Sequence, residues 1–176
     1  MKKTIFINDT AATESGALTI LKQFLDSINL YSQKDYLYYV FCSLKELKQY
    51  ENDQIKIIAD IKGKKWLDRI KWDLFGLKNW SKKHNLKATL IISFQNTGCR
   101  YFQEVPQIIY LHQAISFYEE IKWNFFKKEE RILWFYQNIY KKIIFYSLPK
   151  NYLLVVQSKA MKERVQKQFQ LEENKI

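Results

Sequence analysis

Short, continuous apolar runs alternate along the chain with longer segments in which apolar residues return every three or four positions. The runs cover residues 4–7, 36–42, 55–59, 89–94, 107–111 and 152–156. They are rich in Ile, Val, Leu, Phe and Tyr, and they lack the apolar/polar alternation of a sheet that has one wet face. Such runs separated by helices predict a parallel sheet covered on both sides.

Between the runs, the helical period is legible. Leu18, Leu21, Leu25 and Ile28 share one face of a helix that Ser15 could cap and that extends to about Tyr31. Further helices are expected over about 65–84, 127–146 and 158–170. In the second, an ideal turn of about 100° per residue puts Leu67, Ile70, Leu74 and Leu77 on a buried stripe. The third is expected to bury Ile132, Phe135, Tyr136, Ile139 and Ile143. Loops are expected over 8–14, 95–106 and 148–151. The whole pattern predicts a Rossmann-like, doubly wound α/β domain whose ligands belong at the carboxyl ends of its strands.

Length permits one substantial core, so 1–176 is read as a single domain. After Met1, Lys2 and Lys3 the first apolar run is cut short by Asn8 and Asp9, unlike a secretory leader. Nowhere does a stretch approach the roughly 20 apolar residues of a membrane span. A soluble, cytoplasmic protein is expected. Cys42 and Cys99 are far apart and form no CxxC, so two reduced structural thiols are expected. His84 and His112 fit no metal-ligand spacing, and no metal is expected.

Gly16, Gly63, Gly76 and Gly98 are the only glycines. Neither GxGxxG, nor GxxxxGK[ST], nor GxSxG can be written with them, which removes the usual dinucleotide, P-loop and hydrolase-elbow readings. The acidic pairs Glu119-Glu120 and Glu129-Glu130 lie among lysines, where helical charge pairing accounts for them.

The residues that follow the apolar runs carry the candidate chemistry. The first run leads through a small, polar loop into Ser15-Gly16-Ala17, a helix start that either is an ordinary capped turn or offers N–H groups to a phosphate. The fourth ends near Asn96 and the fifth at His112-Gln113. In a doubly wound sheet these positions share the rim of Gly16. His112 is either structural or the group that orients, or exchanges a proton with, a hydroxyl.

Three stretches resemble the N-terminal domain of bacterial family 4 glycosyltransferases. They are Trp66-Leu67-Asp68-Arg69-Ile70-Lys71-Trp72-Asp73, then Ile91-Ile92-Ser93-Phe94-Gln95-Asn96, then Val105-Pro106 through Tyr110-Leu111-His112-Gln113-Ala114-Ile115-Ser116-Phe117. Val155-Val156-Gln157-Ser158 with Met161-Lys162 resembles that family's last strand and helix in this domain. The likeness implies a GT-B architecture, in which this acceptor-side domain faces a second domain that binds the nucleotide sugar. It implies transfer of a hexosyl group from a UDP- or GDP-sugar to a hydroxyl of a lipid-linked cell-surface glycan, usually with retention and without a metal or other cofactor. Carried over by position, Ser15 and Gly16 would lie near the donor diphosphate, while Asn96, His112 and Gln113 would line the acceptor and sugar side, with His112 catalytic. The family often has two adjacent glycines where this chain has Ser15-Gly16. Its donor domain carries a Glu-x7-Glu motif, and no two glutamates here are eight positions apart. The donor domain is therefore expected in cis or as a partner subunit, and the isolated domain is expected to be inactive.

The formal charge is +11, and residues 62–87 hold nine Lys/Arg against two Asp/Glu. An acidic partner is implied. On helical projection Trp72 falls beside Lys65, Arg69 and Lys83, and Trp134 and Phe145 fall in the sector of Arg131, Lys141 and Lys142. Aromatics interleaved with cations suit the anionic inner face of the plasma membrane. They also suit RNA, or a solvated face that the donor domain covers. No RRM or KH signature is present, which lowers the nucleic-acid reading. Three functions therefore stand side by side: the transferase, a basic nucleic-acid-binding domain, and a noncatalytic subunit that recruits a donor-binding partner.

Overall fold

The computed structural model describes residues 2–61 and 66–176, with backbone only for Ser15 and Trp66. Six parallel strands form one sheet: β1 (Lys3–Asp9), β2 (Tyr36–Cys42), β3 (Ile55–Ile58), β4 (Leu90–Ser93), β5 (Gln107–Leu111) and β6 (Tyr152–Val156). The spatial order is β3-β2-β1-β4-β5-β6. Helices pack on both faces, so the chain has a Rossmann-like α/β fold. Every predicted run is a strand. The first continues further than expected, because Asn8 and Asp9 keep the β2 register opposite Phe41 and Cys42.

Helix α1 (Ser15–Tyr31) covers one face, packing Leu21, Leu25 and Ile28 on Ile5, Ile7, Val40 and Ile57. Ser15 is its first helical residue rather than its cap. The N-cap position is Glu14, whose side chain makes no capping hydrogen bond. The opposite face takes two interrupted helices. The first is α2 (Trp66–Lys71), a π-helical turn (Trp72–Gly76) and α3 (Leu77–Lys83). The second is α4 (Arg131–Phe135), a π-helical turn (Tyr136–Tyr140) and α5 (Lys141–Ser147). Finally, α6 (Lys159–Phe169) is capped by Ser158, whose Oγ accepts the Met161 amide at 3.2 Å.

The π turns correct both predicted stripes. A π turn holds an extra residue per turn, so everything beyond it is rotated relative to an ideal projection. Leu77 is buried, but Leu67 is 55% exposed. In the second helix Tyr140 and Ile144 are buried, whereas the expected Ile132 and Ile139 face outward.

On the α1 side, the β5–β6 end of the sheet leaves Leu153 and Val155 exposed. Cys42 and Cys99 are buried and unpaired. Among the described residues, no helix is long and apolar enough to cross a membrane.

Candidate functional site

The chain runs outward from β1 through β2 to β3 and then crosses back to β4, so β1 and β4 flank the switch point of the sheet. In such sheets a crevice opens outside the carboxyl ends at that place. The loops after β1, β4 and β5 meet at this edge. It is lined by polar groups that are buried, which is unusual and needs a reason.

The network starts at Asp73, which the first π turn directs inward. Its Oδ1 accepts the side-chain amides of Asn8, at 2.9 Å, and Gln95. Its Oδ2 accepts the Thr97 hydroxyl at 2.6 Å. Asn8 is held in turn by Trp72, whose Nε1–H donates to Asn8 Oδ1 at 2.9 Å. Burial nonetheless dominates, and the Asp73 carboxyl is pushed up to about 6. Gln95 also ties down the first loop, because its Oε1 accepts both the amide and the hydroxyl of Thr10 at 3.1 Å.

The loop that carries Gln95 and Thr97 is itself wedged. A Cβ on Gly98 would stand 2.9 Å from the Ser147 carbonyl oxygen and 2.8 Å from Ile109 Cδ1, so only glycine lets the loop lie this close to α5.

Asp9, next to Asn8, points to the other face. Its carboxylate oxygens are buried, and the Ala12 amide lies near them without reaching good hydrogen-bond geometry. Desolvation pushes the Asp9 carboxyl up to about 7, against the lowering pull of the Ala12 amide and of Arg69. Arg69 donates from Nη2 to the Tyr140 hydroxyl at 2.9 Å, and that hydroxyl donates to the Gln95 carbonyl at 3.2 Å. Burial pushes the Tyr140 hydroxyl up to about 12, with Arg69 opposing. The Nε of Arg69 is buried and unpartnered. Arg69 is thus the cation to which Asp9, Asp73, His112 and Tyr140 all respond.

Asn96 has φ +66, a left-handed conformation that asparagine tolerates better than most residues. From there its Oδ1 accepts the backbone amides of His112 at 2.7 Å and Gln113 at 3.0 Å. Its Nδ2 faces His112 Nε2 at 3.2 Å. An amide oxygen that takes two N–H groups leaves only the NH2 for the imidazole, so Nε2 is the acceptor and the neutral ring carries its proton on Nδ1. Nδ1 is buried without a partner. Burial first, and Arg69 second, lower the His112 pKa, so the ring is neutral near pH 7.

A cavity of about 330 Å³ opens beside this network on the helical face. Its walls are Ile70, Leu74, Ile139 and Ile143, its floor includes Asp73 and Thr97, and Lys142, Tyr146 and Ser147 complete the lining. Among the described residues, no cluster of three His, Cys, Asp or Glu side chains is placed to hold a metal ion.

The structure brings Asn96, His112 and Gln113 together, on the edge where Ser15 and Gly16 open α1. Gly16 is exposed, with open space around the position of a Cβ. The expected basic-aromatic surface does not form one plane. Arg69 and Trp72 are turned inward onto Tyr140 and Asn8, a correction that follows from the polar partners waiting there. Lys83 is exposed at the end of α3, which leads to the amino end of β4, whereas Arg131 and Trp134 start from the opposite edge. Lys141 bonds to Gln168 at 2.9 Å, and Phe145 packs on Phe169 at 4.8 Å between ring centroids. Lys142 is exposed at the cavity, and Lys65 lies outside the described residues.

Sequence reasoning missed Asn8, Asp9, Asp73, Gln95, Thr97 and Tyr140. One signal was available for Asp73: it lies three residues after Ile70 and four before Leu77, an acid within an apolar stripe. No protein-family model matches the chain and no curated protein is similar to it, so the glycosyltransferase likeness rests on the motifs quoted above.

Proposed function

We propose that the chain is the acceptor-side domain of a glycosyltransferase, completed by a donor-binding domain or subunit, that moves a sugar from a nucleotide-linked donor to a glycan hydroxyl. The observation that carries this reading is the clamp of Asn96 on His112 at the switch-point edge. It fixes a neutral imidazole whose Nε2 is engaged and whose Nδ1–H is unpartnered. Once the lining over the buried Nδ1 shifts on substrate binding, such a ring donates a hydrogen bond to a sugar or acceptor oxygen and orients it. With its lone pair taken by Asn96, it is a poor general base.

In this scheme the start of α1 at Gly16 stabilises the charge that grows on the leaving diphosphate, and Arg69 adds a cation to the same edge. The apolar cavity walled by Ile70, Leu74, Ile139 and Ile143 suits an uncharged part of the acceptor.

The test is sugar transfer by the chain together with its donor-binding half, from UDP- and GDP-sugars to a membrane lipid extract. His112→Gln should lower turnover about a hundredfold, as loss of a preorganised donor does, with the melting temperature retained. Turnover close to wild type removes His112 from the site. Salt-sensitive binding of oligonucleotides with no transfer favours the nucleic-acid reading instead.

A further inference from the structure

After β5 and a 3-10 turn (Ala114–Phe117), the chain makes a 13-residue excursion over 118–130 that ends in a second short 3-10 turn (Lys128–Glu130) and leads into α4. Its apolar side chains turn outward: Phe126 is 87% exposed, Phe125 and Ile121 are about half exposed, and so is Ile132 at the start of α4. Loose loops often expose such residues transiently, but this one is braced. Gln137 Nε2 donates to the Ile121 carbonyl at 2.7 Å and also to the Tyr118 carbonyl. Glu130 accepts the Asn124 amide at 2.7 Å, and Asn124 Oδ1 accepts the Phe126 amide at 2.9 Å. Arg131 Nε donates to the Phe125 carbonyl at 3.1 Å, while the Phe125 ring packs edge-on against Trp134 with 5.0 Å between centroids. The turn therefore presents two phenylalanines at a fixed place.

Cations ring the tip. Over the tip itself, 122–131, Lys122, Lys127, Lys128 and Arg131 stand against Glu129 and Glu130, while Glu119 and Glu120 precede it and Glu120 is held by Arg164. Glu130 is occupied by Lys127 at 3.2 Å, whereas Lys122 and Lys128 make no ion pair among the described residues. An open cleft lined by Lys122, Trp123, Asn124, Phe125, Phe126 and Trp134 completes the element.

We propose that this element docks the chain on an anionic lipid bilayer, with Phe125 and Phe126 entering the acyl boundary and the surrounding lysines on the headgroups. Three observations select lipid over other occupants. Ile121 and Ile132 flank the tip, and aliphatic side chains gain from acyl chains but offer no stacking surface to bases. A second copy of a chain with a net charge of +11 would be repelled by the same lysines. The tip also leaves the sheet at the carboxyl edge, since it follows β5 through the turn at Ala114–Phe117, so docking brings the Asn96–His112 edge toward the membrane. The inference stands whether or not the chain transfers sugars.

Vesicle flotation of the full chain tests it, with phosphatidylcholine alone and with added phosphatidylglycerol, at one low salt concentration. Binding is expected only with the anionic lipid. Phe125→Ala and Phe126→Ala should each weaken partitioning about tenfold, and Lys122→Gln and Lys128→Gln about fivefold each, with unchanged far-UV circular dichroism. Bilayers brominated along the acyl chains should quench the emission of Trp123 and Trp134, and the quenching should be lost in Phe125→Ala/Phe126→Ala. Three results overturn the proposal: unaltered flotation of the phenylalanine variants, equal binding to neutral vesicles, or vesicle-independent dimerisation or donor-domain capture that these substitutions abolish.

Discussion

Asn96 holds His112 at two points, with its oxygen on the His112 backbone amide at 2.7 Å and its NH2 on the ring Nε2 at 3.2 Å. Asn96→Ala removes both and also strips the Gln113 amide of its acceptor. It places an alanine at φ +66 as well. The expected loss is about 2–4 kcal/mol, from unsatisfied amides and left-handed backbone. Asn96→Gly should lose roughly 1 kcal/mol less, because it relieves only the backbone part. Urea unfolding of the two variants checks this, and equal losses would mean that φ is not under strain.

The buried acids predict an unusual pH profile. Asp9 and Asp73 rise from 3.8 to about 7 and about 6 in the folded chain. A raised folded pKa means that the native state binds the proton more tightly than the unfolded chain. Their contribution is therefore fully present below pH 4 and is lost as pH rises through about 6 to 7. Unfolding midpoints should fall over that window. Asp9→Asn should flatten the fall and stabilise the chain at pH 8 by at least about 1 kcal/mol, with little effect near pH 4. An unchanged profile would exclude Asp9 as its source.

Burial lowers the His112 pKa most, and Arg69 is predicted to lower it further. Its charge helps to hold the ring below the ordinary imidazole value. In Arg69→Met the His112 ring signals, followed by NMR, should titrate at higher pH than in the parent. A fixed His112 midpoint would uncouple the two residues.

Two glycines should respond in opposite directions. A Cβ on Gly76 would stand 2.4 Å from Trp72 Cε3, so Gly76→Ala must push the indole from Asn8 at about 1–3 kcal/mol. Nothing lies within 4 Å of a Cβ on Gly16, and Gly16→Ala should stabilise α1 by a few tenths to about 1 kcal/mol. If Gly16 serves a diphosphate, the same substitution lowers transfer while raising the melting temperature, a split that thermal and activity measurements on one sample would reveal.

The alternation of strands and helices was legible because unbroken apolar runs can be buried only in a sheet covered on both faces, a local property of composition. The same pattern put Asn96 and His112 just past two strand ends, and parallel pairing of β4 with β5 then brings their loops together. What the pattern could not convey is phase. Each of the two interrupted helices contains a π turn, and a projection that assumes a constant turn sends Arg69 and Trp72 to solvent.

Linear order therefore determined the architecture and the edge where polar residues gather. Only the tertiary structure decided which polar groups are buried there. Asn8 and Asp73 lie 65 positions apart, and Arg69 and Tyr140 lie 71 apart. A buried carboxylate or guanidinium is tolerable only when distant residues bring donors and acceptors to it, and no neighbour in the chain announces that they will.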